Sequence, residues 1–179
     1  KDGRIVMIMD VERVLAETAG FGQDESLFSD VESLENEGFT IMFADDSTVA
    51  RTQIEKTLDH MHVAHISAQN GAQAWNKLKE IAIKADINGM PVSKYVQAIL
   101  TDVEMPEMDG YVLTKNIKAD PRFAGIPVIM HSSLSADANQ SLGKNVGADA
   151  YVPKFEPQEL SEILMQMLRD GKKQLEQDS

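Results

Sequence analysis

The feature that most constrains this chain is a set of short apolar runs, each stopped by a polar residue of a particular kind. The clearest is Ala98-Ile-Leu-Thr-Asp102, followed by the turn-rich Val103-Glu-Met-Pro106-Glu-Met-Asp109-Gly110 and then by a helical pattern. An apolar run bounded by turn signals reads as a buried strand. Thr40-Ile-Met-Phe-Ala44 stops at Asp45-Asp46, Ile126-Pro-Val-Ile-Met-His131 at Ser132-Ser133, and Ala150-Tyr-Val-Pro153 at Lys154. His62-Val-Ala-His-Ile-Ser67 alternates weakly and supplies the remaining strand.

Helical patterns fill the intervals. Ser47 caps a predicted helix over Thr48–Met61, with Ala50, Ile54, Leu58 and Met61 on one face. Asn70-Gly71 opens a second through Trp75, Leu78, Ile81 and Ala82, and Asp86–Lys94, with Asn88-Gly89 and Pro91, reads as a loop. Val112, Leu113 and Ile117 mark a third, ended by Asp120-Pro121. A sparse fourth uses Ala138, Leu142 and Val146 and is softened by Gly143. The last runs through Leu160, Ile163, Leu164, Met167 and Leu168 after Pro157. Strands alternating with helices predict an α/β fold, a doubly wound five-stranded parallel sheet with helices on both faces.

In such a sheet, chemistry sits beyond the carboxyl ends of the strands. Here those ends offer an acid pair, an acid, a hydroxyl and a lysine, in that order. Two carboxylates 4 Å apart repel by about 1 kcal/mol in water and about 4 kcal/mol at a surface-like dielectric. A hard divalent cation relieves this, and Mg²⁺ suits a site with few carboxylates that keeps its waters. One Asp at a strand end is commonly a turn former; the inference rests on several ends together.

The 179 residues and 42 % hydrophobic content suffice for one domain with a core and some extra. With 17 basic against 29 acidic residues, net −12, no basic patch for nucleic acid is present. There is no cysteine, hence no thiol chemistry, and no apolar run nears the ~20 residues that span a bilayer. His60, His62 and His65 are expected to be solvated loop and edge-strand residues rather than metal ligands, since alternation puts His62 and His65 on opposite faces.

From Gly38 to Arg169 the chain resembles the response-regulator receiver domain. Asp45 and Asp46 match that family's acidic pair and Asp102 its phosphorylated aspartate. Met105-Pro106 and Asp109-Gly110 match the residues that follow it. Ser132 matches the switch hydroxyl, Tyr151 the switch aromatic and Lys154 the invariant lysine. One departure is that Phe155, not proline, follows the lysine, while Pro153 precedes it. The resemblance implies the flavodoxin-like strand order 2-1-3-4-5. It also implies Mg²⁺-dependent phosphoryl transfer to Asp102 from a phosphohistidine of a chemotaxis-type histidine kinase, in the cytoplasm. Asp45, Asp46, Asp102 and the backbone carbonyl of Glu104 would hold the metal. The chain would be a signalling phosphoacceptor that assists its own phosphorylation and dephosphorylation, not a turnover enzyme. The Glu104 carboxylate would influence the lifetime of the phosphate, or else be a solvated loop acid.

Upstream, Arg4–Met9 is a strand candidate and Asp10–Ala16 a short helix, followed by a Gly/Asp/Ser/Glu-rich linker. This part is either an arm packed on the main domain or the end of a truncated coupling domain. Its sequence resembles the last strand and helix of CheW-like coupling domains, a combination with a receiver found in the CheV family, which implies contact with chemoreceptors. The expected organisation is 1–19 coupling-domain remnant, 20–37 linker, 38–171 receiver and 172–179 frayed tail. Two other readings stay open: a degenerate receiver serving as a protein-interaction module, and a haloacid-dehalogenase-type phosphatase. The second wants an aspartate two residues after the nucleophile, where this chain has Glu104.

Overall fold

The computed structural model describes residues 28–29, 31–34, 37–133 and 145–177. The strand and helix expected at Arg4–Met9 and Asp10–Ala16, and most of the soft helix through Ala138 and Leu142, lie outside the described residues. Five strands form one sheet: β1 (Thr40–Ala44), β2 (Ala64–Ala68), β3 (Ala98–Asp102), β4 (Val128–Ser132) and β5 (Ala150–Pro153). All pairs are parallel and the order is β2-β1-β3-β4-β5, as the resemblance implied. Four helices are described: α1 (Thr48–His60), α2 (Gly71–Asn88), α3 (Gly110–Ala119) and α4 (Pro157–Gln177).

Strand alternation divides the core in two. Ile41 and Phe43 of β1, Leu100 of β3, Ile129 of β4 and Val152 of β5 pack with Ile54 and Leu58 of α1 and Leu160 and Leu164 of α4. Met42, Ala44, Ile99 and Val128 face the other way, onto Leu78 and Ala82 of α2 and Leu113 and Ile117 of α3. A sheet buried on both faces needs near-continuous apolar strands, which is why these runs lack a polar face. Alternation also puts Asp102 two residues beyond Leu100, and His131 two beyond Ile129, on the α1/α4 side.

Capping side chains start the helices where the sequence suggested. The Ser47 hydroxyl accepts from Ala50 N–H at 3.3 Å, Asn70 Oδ1 from Gln73 N–H at 2.8 Å, and Asp109 Oδ1 from Val112 N–H at 2.8 Å. Three boundaries differ from expectation. The second strand starts at Ala64, because His62 lies in a turn with φ 56°. Helix α2 runs through Asn88 and ends on Gly89 in the left-handed conformation, so Asp86 and Asn88 are helical rather than loop. Helix α4 runs past Gly171 to Gln177, where the sequence reading began a frayed tail; one glycine costs a helix only about 1 kcal/mol.

The end of the expected linker packs on the domain. Phe28 and Leu34 are buried, at 3 % and 4 % exposure, and Leu34 belongs to the α1/α4 core. Phe28 stacks on His60 with ring centroids 4.8 Å apart, and Leu34 N–H donates to Met61 O at 2.8 Å. Glu32 pairs with Arg169 and Glu37 with Lys172. The ion pairs are exposed and contribute little; the two buried side chains hold the segment down.

Candidate phosphoacceptor site

The carboxyl edge of the sheet carries the polar strand ends. Asp102 closes β3 and is 4 % exposed, while Asp45, just beyond β1, is fully buried and Asp46 is exposed. These three offer carboxylate oxygens within 4.8 Å of one another. Lys154, just beyond β5, is buried between two of them: its Nζ lies 2.9 Å from Asp102 Oδ2 and 3.1 Å from Asp45 Oδ2. Ser132 closes β4, and its carbonyl accepts from Lys154 N–H at 3.0 Å, fixing the lysine's backbone to the end of that strand. Tyr151 lies in β5 opposite Met130, half-buried. Glu104 is exposed on the following loop, its N–H 3.4 Å from Asp102 Oδ1.

Two glycines set the loop that surrounds Asp102. A Cβ on Gly110 would stand 2.1 Å from the Asp102 carbonyl oxygen, and one on Gly71 would stand 2.4 Å from the Met108 carbonyl oxygen. Only glycine lets α3 begin against the end of β3, where Gly110 N–H donates to Val103 O at 3.0 Å. Glu107, between these points, has φ 66°.

Burial dominates the electrostatics. Desolvation pushes the Asp45 carboxyl up from 3.8 to about 7, opposed by the Lys154 ammonium and reinforced by Asp102. The same burial, with the Lys154 charge beside it, pushes His131 down from 6.5 to about 3, so its imidazole is neutral. On the rim, burial and then Tyr151, Asp109 and Glu104 raise the Tyr111 phenol. An all-oxygen set of three carboxylates, two of them buried, suits a hard cation.

The structure thus brings together Asp45, Asp46, Asp102 and Lys154, with Ser132 on the adjoining strand end. The three histidines do not cluster. His60 stacks on Phe28, His62 meets Ser33 Oγ at 3.0 Å, and His65 lies 3.4 Å from Asp59. Sequence reasoning missed two contributors, Arg51 and His131, and flagged a third, Phe155, only as a departure from the family. Arg51 Nη1 donates to the carbonyls of Asp45 and Asp46, each at 2.9 Å, tying the acid pair to α1; its signal was an arginine one turn after the Ser47 cap. His131 was read only as the end of an apolar run. Phe155 adopts φ 67° while 8 % exposed, a left-handed conformation costing roughly 1–2 kcal/mol for a residue other than glycine.

Comparison with known proteins agrees with this geometry. The family model described as "Response regulator receiver domain" matches residues 41–165. The chain is 32 % identical over 168 residues to chemotaxis protein CheV3 of Helicobacter pylori, covering 94 % of this chain and 52 % of the relative. It is 28 % identical over 169 residues to CheV1 of the same organism, covering 93 % and 50 %. The chain therefore spans about half the length of these curated relatives. Among solved structures, Vibrio cholerae CheY4 shares the fold with a TM-score of 0.59 and 24 % identity, over 73 % of this chain and 99 % of that one. With the family's strand order, and with carboxylates and a lysine meeting at the carboxyl edge of that sheet, the chain belongs to the response regulator receiver domain family.

Proposed function

We propose that the chain is a phosphoacceptor of chemotaxis signalling, with Asp102 as nucleophile. The observation that carries the reading is the Lys154 ammonium held between Asp102 and Asp45, beside a third carboxylate. A carboxylate oxygen of Asp102 attacks the phosphorus of a kinase phosphohistidine, the P–N bond breaks, and its electron pair leaves with the imidazole. Phosphoryl transfer depends mainly on positioning and charge stabilisation. Lys154, anchored through the Ser132 carbonyl, neutralises charge on the transferred group. Asp45, Asp46, Asp102 and the Glu104 carbonyl would hold Mg²⁺. When bound, the ion supplies charge neutralisation and orientation for the transferred phosphoryl group.

The product carries about 1.5 to 2 added negative charges at one strand end. Ser132 donates to a phosphoryl oxygen, and Tyr151 turns into the space that Ser132 leaves, remodelling the surface around β5 and α4. Output is a protein contact. Partners are a chemotaxis-type histidine kinase and, through a coupling domain upstream, chemoreceptors, in the cytoplasm. Among the described residues no helix is long and apolar enough to cross a membrane. With acetyl phosphate and Mg²⁺ the wild-type chain should be labelled once, and Asp102→Asn should not be labelled. Undiminished labelling of that variant would remove Asp102 from its role.

A further inference from the structure

His131 is a buried ionisable side chain to which phosphoryl transfer gives no task. It lies on β4 directly opposite Asp102 in register, 1 % exposed. A valine or isoleucine would suit a central strand better. Instead the imidazole places Nδ1 4.0 Å from Asp45 Oδ2; Nδ1 has no hydrogen-bond partner, and the oxygen meets the Lys154 ammonium at 3.1 Å. A buried imidazole nitrogen left unbonded costs free energy, unless another state of the site gives it a partner.

The geometry around Lys154 identifies that state. In this structure the ammonium is shared between Asp45 Oδ2 and Asp102 Oδ2. A phosphoryl group on Asp102 brings new charge and three strong acceptors, which draw the ammonium's three donors toward them. Asp45 Oδ2, with no access to solvent, then loses part of its contact with the ammonium, while the carboxylate keeps the Mg²⁺ it would help to hold. His131 Nδ1 stands on that same oxygen, and closing 4.0 Å to a hydrogen bond of about 2.9 Å takes roughly 1 Å of movement. A neutral imidazole with its hydrogen on Nδ1 brings a donor without adding charge.

We propose that His131 is a positioning residue of the phosphorylated state: its Nδ1–H donates to Asp45 Oδ2 as Lys154 turns to the phosphoryl group. The bond is absent at rest and forms when the site is charged, so it favours the phosphorylated arrangement selectively. This rests on Asp102 being the phosphoacceptor, and deepens that reading by naming what takes over from the lysine.

The test is binding of beryllofluoride, a phosphoryl mimic, with Mg²⁺ at pH 8, followed by ¹⁹F NMR on the whole chain. Wild type should bind it and Asp102→Asn should not. His131→Val, which removes the donor and suits the strand, should bind about tenfold more weakly or worse, the worth of one hydrogen bond to a charged group. His131→Asn, whose amide nitrogen sits close to the position of Nδ1, should recover most of that loss. A purely structural role would instead lower the melting temperature of both variants and weaken both alike. His131→Val binding as tightly as wild type, or His131→Asn failing as badly as His131→Val, overturns the proposal while leaving Asp102 in place. Wild type failing to bind, or Asp102→Asn binding, overturns the phosphoacceptor reading and this proposal with it.

Discussion

Replacing Asp45 by asparagine should stabilise the protein at pH 8 and by only about a third as much at pH 5, in the absence of divalent metal. The Asp45 carboxyl is driven from 3.8 up to about 7, chiefly because it is buried without water. The folded chain therefore holds a proton that the unfolded chain has released between these two values. By linkage, stability falls as pH rises from about 4 to about 7 and stays low above that. At about 1.4 kcal/mol per pH unit, a rise from 3.8 to about 7 corresponds to on the order of 4 kcal/mol, the ceiling of what the substitution recovers at pH 8. At pH 5 the folded carboxyl is protonated but the unfolded one is largely ionised, so about 1–2 kcal/mol of that loss is already present and is what the substitution recovers there. For a domain of this size each kcal/mol moves the melting temperature by about 2–4 °C. Differential scanning calorimetry in EDTA should thus give Asp45→Asn a lead of several degrees at pH 8 that shrinks to roughly a third at pH 5. An equal difference at both pH values, or a variant less stable than wild type at pH 8, would refute the claim that desolvation dominates this carboxylate.

Two further substitutions probe the frame around the site. Gly110→Ala should lower the melting temperature and abolish labelling by acetyl phosphate although Asp102 is intact, because the new methyl would lie 2.1 Å from the Asp102 carbonyl oxygen and the first turn of α3 must retreat; normal labelling at a normal melting temperature would show that the loop yields freely. Leu34→Ala should cost roughly 2–4 kcal/mol, as for a core leucine, and lower the melting temperature by about 5 °C or more in a thermal scan; a change of under a degree would mean that the segment merely rests on the surface.

The sheet was legible because each buried strand announces itself as an apolar run ended by a residue that apolar surroundings would not tolerate: Asp45, Asp102, Ser132, Lys154. The helix start capped by Ser47 was legible as a local signal, while Asn70 and Asp109 read as turn residues and their capping did not show. What stayed hidden depends on approach in three dimensions. His131 looked like the last residue of an apolar strand, and only the register that sets β4 beside β3 turns it toward Asp45. The packing of Phe28 and Leu34 was invisible because two apolar residues in an acidic stretch carry no period. The run of α4 past Gly171 and of α2 through Asn88 shows how weakly a lone glycine or asparagine opposes a helix already under way.

The backbone handedness at Phe155 carries a consequence for any attempt to redesign this chain toward its family. Proline is held near φ −65°, whereas residue 155 stands at +67°. The usual lysine–proline pair cannot be grafted here without swinging the chain through more than a third of a turn, and Lys154 would swing with it. The ammonium is moored by a left-handed aromatic tucked beneath the surface, so its reach to Asp102 is an inherited property of this loop, and a consensus sequence would undo it.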